Sequence, residues 1–197
     1  MKPERIALFG GTFDPIHLGH LEIARLAKEA LELDKVIFLP CRTSPHKQGI
    51  ETAPAADRLE MVRLAIAELP WAEVDDHDLA APAPSYSYLT AEEMARRHPD
   101  AKLFWLMGAD QWRALPRWAE PGRLARVVDF IVFARDGAPL PHSGWEMHAF
   151  SGTHPASATA IREAVRNGNM PLNWLPAAVA DYIFRHQLYA CSSSDKS

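Results

Sequence analysis

Short apolar runs alternate with amphipathic stretches along most of the chain. Continuous apolar runs of about four residues, bounded by glycine or proline, are typical of buried strands. Strands are predicted at 6–9, 36–39, 103–107 and 130–133, weakly at 73–76, and as a short last strand around Phe150. The strands 6–9 and 103–107 are each followed closely by a glycine, Gly10 and Gly108.

Helices are predicted where apolar residues recur every three or four positions. The predicted helices cover 20–33, 87–98, 159–167 and 177–187, and another starts at Asp57. That last helix has an apolar stripe and an acidic residue, Glu60, where a capping-box partner of Asp57 would lie. The predicted buried stripe consists of Leu59, Val62, Ile66 and Leu69.

This alternation predicts an α/β fold, a parallel sheet with helices on both faces. In such sheets ligands bind outside the carboxyl ends of the strands, where the strand order reverses. No repeat or linker divides the chain, so one domain is expected over 1–190. The segment 140–148 is predicted to be irregular, and the polar tail 191–197 is expected to be disordered.

Composition narrows the range of functions. The chain has 197 residues and a net charge of −4, which does not indicate a basic surface for nucleic acid. Cys41 and Cys191 form neither a disulfide framework nor a CxxC metal pair. No run has the length of a membrane span or signal peptide, so a soluble cytoplasmic protein without a membrane partner is expected. The sequence leaves open whether it forms a homo-oligomer.

The junction of the first strand and first helix reads GGTFDPIHLGH. It matches neither a dinucleotide fingerprint nor a P-loop. Gly10 and Gly11 let a phosphate approach the backbone, and a helix starting near Ile16 would direct its amino-terminal amides at that phosphate. His17 and His20 share a helical face and can donate hydrogen bonds to phosphate oxygens.

Each feature of this junction also has an ordinary structural explanation. A glycine pair after a strand is usually a turn, and one histidine can serve as a helix cap. Two histidines three residues apart can be a metal pair, although no third ligand is evident. The combination in one short segment favours a phosphate site.

A second candidate segment lies before the helix predicted at 159–167. Ser157 suits an N-cap, and the hydroxyls of Ser157 and Thr159 fall near free amides. Arg162 is placed early in the helix, where the dipole disfavours a cation, and a bound polyphosphate would explain it. A plain capped helix with a solvated arginine is the alternative.

The motif GGTFDPIHLGH resembles the GTFDPxHxGH signature of the adenylyltransferase and cytidylyltransferase superfamily, and 157–162 resembles its Ser-x-Thr-x-Ile-Arg signature. Shorter elements resemble one branch, the bacterial nicotinate-nucleotide adenylyltransferases. They are Ser44-Pro45-His46-Lys47, Pro84-Ser85-Tyr86-Ser87, Gly108-Ala109-Asp110, Leu115-Pro116-Arg117-Trp118 and Arg135. The resemblance implies a Rossmann-like fold of the nucleotidyltransferase type.

The resemblance also implies substrates and roles. Nicotinate mononucleotide would attack the α-phosphorus of ATP, giving deamido-NAD and pyrophosphate in NAD biosynthesis. His20, and with it His17, would stabilise the transition state. The ATP-binding residues would be Gly10, Gly11, Thr12, His17, His20, Gly108, Asp110, Ser157, Thr159 and Arg162. The mononucleotide-binding residues would be Thr12, His46, Lys47, Tyr86, Ser87, Trp118 and Arg135. Mg²⁺ would arrive on ATP, without a metal site of the protein's own.

Three alternatives remain at this stage. The acceptor could be nicotinamide mononucleotide or phosphopantetheine, although the elements around Tyr86 and Trp118 argue against the latter. A regulatory module could keep the fold without turnover. A metal-binding protein could use His17 and His20.

Overall fold

The computed structural model describes residues 2–42, 52–81, 84–134, 137, 139–152 and 154–190. Its strands form one parallel six-stranded sheet in the order β3-β2-β1-β4-β5-β6. This is the strand order of a doubly wound Rossmann-type sheet. The α/β prediction is confirmed.

The elements of the described residues have the following bounds. The strands are β1 Arg5–Gly11, β2 Lys35–Pro40, β3 Ala72–Val74, β4 Lys102–Gly108, β5 Asp129–Ala134 and β6 Met147–Ser151. The helices are α1 Leu18–Ala30, α2 Ala55–Ile66, α3 His77–Ala80, α4 Ser87–Arg97, α5 Ala109–Ala114, α6 Pro121–Val127, α7 Ala158–Arg166 and α8 Ala177–Arg185, with a 3₁₀ turn at Leu115–Arg117. None of these helices is long and apolar enough to cross a membrane.

Helices cover both faces of the sheet. Successive residues of each strand point to opposite faces and so enter different buried clusters. In β1, Ala7 and Phe9 belong to one buried cluster, whereas Ile6 and Leu8 belong to the other. The first cluster includes apolar residues of α1, α2, α7 and α8, and the second those of α4, α5 and α6. The near-continuous apolar runs of the sequence are therefore strands buried on both faces.

Helix α2 departs from its prediction. It begins at Ala55, directly after Pro54, so Asp57 is its third residue and the predicted capping box with Glu60 is wrong. Two residues of the predicted stripe, Val62 and Ile66, are buried. Leu59 is only partly buried, and the partly buried Leu69 lies beyond the end of the helix. The buried residues of this helix are Arg58, Met61, Val62, Ala65 and Ile66.

Other differences concern short elements. The sequence analysis missed α3, α5 and α6, which have four to seven residues each. The segment 140–148 is irregular only as far as Glu146, because β6 begins at Met147. The tail 191–197 lies outside the described residues, so its predicted disorder stays a prediction.

Candidate active site

A cavity of about 490 Å³ opens at the carboxyl ends of β1 and β4. The strand order reverses between these two strands, and a ligand site is expected there. Seven of the predicted ATP-binding residues line it: Gly10, Gly11, Thr12, His20, Gly108, Thr159 and Arg162. Three of the predicted mononucleotide-binding residues besides Thr12 line it as well: Tyr86, Ser87 and Trp118. The fold thus brings residues of both signatures, and of the branch elements around Tyr86, Gly108 and Trp118, to one cavity.

The two histidines of the first motif form a stacked pair. The ring centroids of His17 and His20 are 3.7 Å apart with planes inclined by 25°. Nδ1 of His20 accepts the backbone N–H of His17 at 3.3 Å, so in the neutral ring Nε2 carries the proton. His20 also contacts the edges of Phe9 and Phe13, which fix its plane. His20 therefore lines the cavity with a ring whose plane and tautomer are set by its neighbours.

His17 has a different position from the one predicted. Helix α1 begins at Leu18, not near Ile16, and His17 is its N-cap residue. The N–H of Leu18 donates to the carbonyl of Trp174 at 2.9 Å, so this first amide is already used within the protein. His17 is buried and is not among the residues that line the cavity. It supports the His20 ring by stacking.

The glycines of the first motif are required by aromatic neighbours. A Cβ on Gly10 would lie 2.9 Å from the Trp105 ring, and one on Gly11 would lie 2.9 Å from the Phe13 ring. Gly108 differs, because no heavy atom of the described residues lies within 4 Å of its ideal Cβ position. Protein packing therefore does not require a glycine at position 108. The close approach of a ligand to the backbone at the cavity wall would require one.

The amino terminus of α7 forms another part of the wall. Ser157 is the N-cap, and its hydroxyl oxygen accepts the N–H of Ala160 at 3.2 Å, as predicted. It caps the helix without lining the cavity, whereas Thr159 and Arg162 line it. Nη1 of Arg162 donates to the carbonyl oxygen of Asp14 at 2.7 Å, which directs the guanidinium toward the first motif. A cation and helix amides are thereby combined, an arrangement suited to anions.

The opposite end of the cavity is built around the start of α4. Tyr86 is the N-cap residue of α4, and Ser87 is its first residue. The buried Asp78 underlies this turn, because its Oδ1 accepts the Thr90 hydroxyl at 2.6 Å while that hydroxyl also bonds to the Tyr86 carbonyl. Burial raises the pKa of Asp78, and the Thr90 hydrogen bond opposes that rise.

Some predicted site residues lie elsewhere. Asp110 is on the surface of α5, where its exposed carboxylate pairs with Arg113, and it does not line the cavity. His46, Lys47 and Arg135 fall outside the described residues. Their assigned roles stay predictions.

Sequence reasoning missed Arg58, a buried cation beneath the cavity. Its guanidinium donates to the backbone carbonyls of Thr12, Cys41, Arg42 and Ala53 at 2.7 to 3.2 Å. It therefore joins the ends of β1 and β2 to the start of α2. The signal was available in principle, since Arg58 occupies the buried face of α2.

Sequence reasoning also missed Asp14, which is 5% exposed and lines the cavity. Its carboxylate accepts hydrogen bonds from Ala53 N–H and the Tyr189 hydroxyl. Its partners are distant in sequence, so no local pattern reveals them. Among the described residues, no group of three or more His, Cys, Asp or Glu side chains is arranged to hold a metal ion.

A Rossmann-type sheet with a cavity at its switch point is the architecture of an α/β protein of the nucleotidyltransferase type. The cytidylyltransferase-like family model matches residues 8–164, from β1 into α7. The chain belongs to the cytidylyltransferase-like family.

Curated relatives cover nearly the whole chain. A Methylacidiphilum infernorum protein is 40% identical over 94% of this chain and 92% of its own length, and it is named "probable nicotinate-nucleotide adenylyltransferase". A Thermus thermophilus protein with the same name is 41% identical over 94% of this chain and 99% of its own length.

Solved structures agree in fold. Plasmodium falciparum nicotinic acid mononucleotide adenylyltransferase complexed with NaAD has a TM-score of 0.75 at 17% identity, covering 94% of this chain and 97% of that one. The same enzyme complexed with APC has a TM-score of 0.73 at 17% identity, with the same coverage. At this identity the comparison establishes the fold.

Proposed function

We propose that the chain is a nicotinate-nucleotide adenylyltransferase, which joins nicotinate mononucleotide to the AMP part of ATP in NAD biosynthesis, in the cytoplasm. The observation that carries the proposal is one cavity lined by His20 at one motif, Arg162 at the other and the Tyr86–Ser87 turn opposite. Relatives of about 40% identity that bear this name span nearly the whole chain and support it.

The reaction needs no general base. The attacking group is a phosphate monoester, whose second pKa is about 6, so it is mostly dianionic at neutral pH. Its oxygen attacks the α-phosphorus of ATP, the bond to the β-phosphate bridging oxygen breaks, and pyrophosphate leaves. The protein's task is to align two polyanions and to stabilise the charge that develops in the transition state.

The site residues divide this task. The Nε2–H of His20 is oriented to donate to an α-phosphate oxygen, because its Nδ1 is held by the His17 backbone. Arg162, Thr159 and the amino terminus of α7 hold the β and γ phosphates. The amides at the Tyr86–Ser87 turn meet the nicotinate carboxylate, and Trp118 stacks on the pyridinium ring.

Mg²⁺ accompanies ATP in this proposal. The described residues offer no three-ligand cage, and Mg²⁺ is commonly held by one or two carboxylates together with substrate phosphates and water. Asp14 is the carboxylate at the cavity wall beside Arg162 that could contribute. The ion supplies charge neutralisation between the phosphates when it is bound.

The proposal is tested with purified protein, ATP, Mg²⁺ and each acceptor in turn: nicotinate mononucleotide, nicotinamide mononucleotide and phosphopantetheine. Pyrophosphate release is expected to be fastest with nicotinate mononucleotide. Tight ATP binding without pyrophosphate release from any acceptor would support a regulatory module instead. Stoichiometric transition metal in the purified protein would support the metal-binding alternative.

A further inference from the structure

The segment that follows α8 contacts the first motif. The Tyr189 hydroxyl donates to Oδ1 of Asp14 at 2.7 Å, across 175 residues of sequence. A tyrosine hydroxyl carries its proton at neutral pH, so Tyr189 is the donor in this bond. Tyr189 has a φ of 62°, in the left-handed region that tyrosine rarely adopts. The contact thus holds the segment after α8, with this rare backbone conformation, against the cavity wall.

Within the described parts of the chain, both hydrogen bonds to the Asp14 carboxylate reach the same oxygen. Its Oδ1 accepts both the Tyr189 hydroxyl and the Ala53 N–H, the latter at 3.1 Å. Its Oδ2 lies 3.8 Å from Nη1 of Arg162, well beyond the ~2.7–2.9 Å of a charge-assisted hydrogen bond. The two groups form an ion pair by distance, but no hydrogen bond joins the Arg162 guanidinium to the Asp14 carboxylate.

This spacing matters for a polyphosphate site. An arginine in a tight pair with a buried carboxylate has less capacity for a phosphate, because the carboxylate competes for the same donors. If Oδ1 lost its hydroxyl donor, one backbone N–H would remain to hold it. The carboxylate could then rotate toward Arg162 and accept a hydrogen bond from its guanidinium.

We infer that Tyr189 is a positioning residue: its hydroxyl keeps the Asp14 carboxylate from closing on Arg162, which leaves the guanidinium able to bind the polyphosphate of ATP. The inference rests on the proposed function in taking ATP as the ligand. It assigns a site role to the segment after α8.

Tyr189→Phe tests the inference because it removes the hydroxyl and keeps the ring. The KM and dissociation constant for ATP should rise about tenfold, the scale of one hydrogen bond to a charged group. The KM for nicotinate mononucleotide and kcat should change less than about threefold, since His20 and the acceptor end of the cavity keep their contacts.

The matched control is Tyr182→Phe. Tyr182 also joins the carboxyl-terminal region to the body of the protein through a hydroxyl–carboxylate bond, to Asp57 at 2.8 Å, and neither residue lines the cavity. This variant should lower the melting temperature to a similar extent and leave both KM values unchanged. An equal rise of the ATP KM in both variants would indicate that the loss follows from destabilisation of the carboxyl-terminal region, and it would overturn the inference.

A double-mutant cycle locates the effect. If Tyr189 acts through Arg162, Tyr189→Phe should not weaken ATP binding further in an Arg162→Ala background. An additive loss, or unchanged ATP binding in the single variant, overturns the inference. ATP binding is measured by titration calorimetry, which needs no turnover. Wild-type protein that is inactive with every acceptor would contradict the proposed function. The cycle would still test the role of Tyr189 in that case.

Discussion

At the scale of single residues, His20 is the group that we expect to act most directly on the reacting phosphate. Its ring is held at the cavity wall by contacts with His17, Phe9 and Phe13. His20→Ala is expected to lower kcat by about 10²-fold or more, the scale of losing one preorganised transition-state donor. His148→Ala, near the amino end of β6, is the control and should keep kcat. Near-normal turnover in folded His20→Ala protein would refute the role, as steady-state kinetics can determine.

Arg162 is expected to affect the binding of ATP more than the binding of AMP. A charge-assisted bond to phosphate contributes about 1.5–3 kcal/mol, so Arg162→Ala should raise the KM for ATP. AMP lacks the β and γ phosphates and should bind wild type and variant alike, measured by calorimetry. If AMP binding weakens as much as ATP binding, Arg162 acts on the fold through its bond to the Asp14 carbonyl.

Gly19 links the helix start to the histidine pair. A Cβ at this position would lie 3.0 Å from two atoms of the His17 ring and 3.2 Å from Nδ1 of His154. Gly19→Ala should displace His17 and, through the stack, His20. The kcat should fall by about tenfold, less than the ~10²-fold loss of a 1 Å misplacement, because the required shift is smaller. Gly122→Ala is the control, because its Cβ meets no described atom within 4 Å and should leave turnover unchanged.

At the scale of elements, the junction of α3 and α4 carries a pH-dependent contribution to stability. Burial raises the pKa of Asp78 above its ordinary value of 3.8, so the folded state favours the neutral acid. Below pH 3.8 the acid is neutral whether folded or unfolded. As pH rises through the folded pKa, the folded protein must hold a buried charge, and stability is lost.

Asp78→Asn removes that charge and keeps a carbonyl oxygen for the Thr90 hydroxyl. The variant should therefore gain unfolding free energy relative to wild type between pH 4 and pH 7, as measured by denaturant titration. Asp100→Asn, in an exposed turn, is the control and should show no such trend. A difference that is flat with pH, or that reverses sign, would contradict the assignment.

The elements also explain which predictions succeeded. The core strands were predictable because they are buried on both faces and therefore read as continuous apolar runs. Helices α3, α5 and α6 are too short for a periodic pattern to emerge. The start of α2 was misjudged because Pro54, not Asp57, precedes the first helical turn. Arg58 and Asp14 were missed since their roles depend on contacts between distant segments.

At the scale of the whole molecule, the cavity has two chemically different ends. The Arg162 end suits phosphates, while the Tyr86–Ser87 turn suits a carboxylate, which accepts amide N–H bonds where the NH₂ of nicotinamide would not. A site built for hydrogen bonding can reject such a mismatch by about 10⁴-fold or more. We therefore expect a strong preference in kcat/KM for nicotinate over nicotinamide mononucleotide. Similar values would indicate another acceptor specificity.

Trp118 tests the same end of the cavity separately. Its indole lines the cavity, and a pyridinium ring stacked on it would gain roughly 0.5–2 kcal/mol. Trp118→Ala should weaken binding of both mononucleotides and leave ATP binding nearly intact, measured by calorimetry. Equal weakening of ATP binding would indicate that Trp118 only anchors its loop to the core.

The central claim is direct transfer of an adenylyl group from ATP to nicotinate mononucleotide. It is tested by incubating the protein with Mg²⁺, nicotinate mononucleotide and ATP labelled with ³²P at the α-phosphate. Direct in-line attack forms no nucleotidylated enzyme, so all transferred label should appear in deamido-NAD and none on the protein. Labelled protein, or label that stays in ATP while the acceptor is unchanged, would contradict the account.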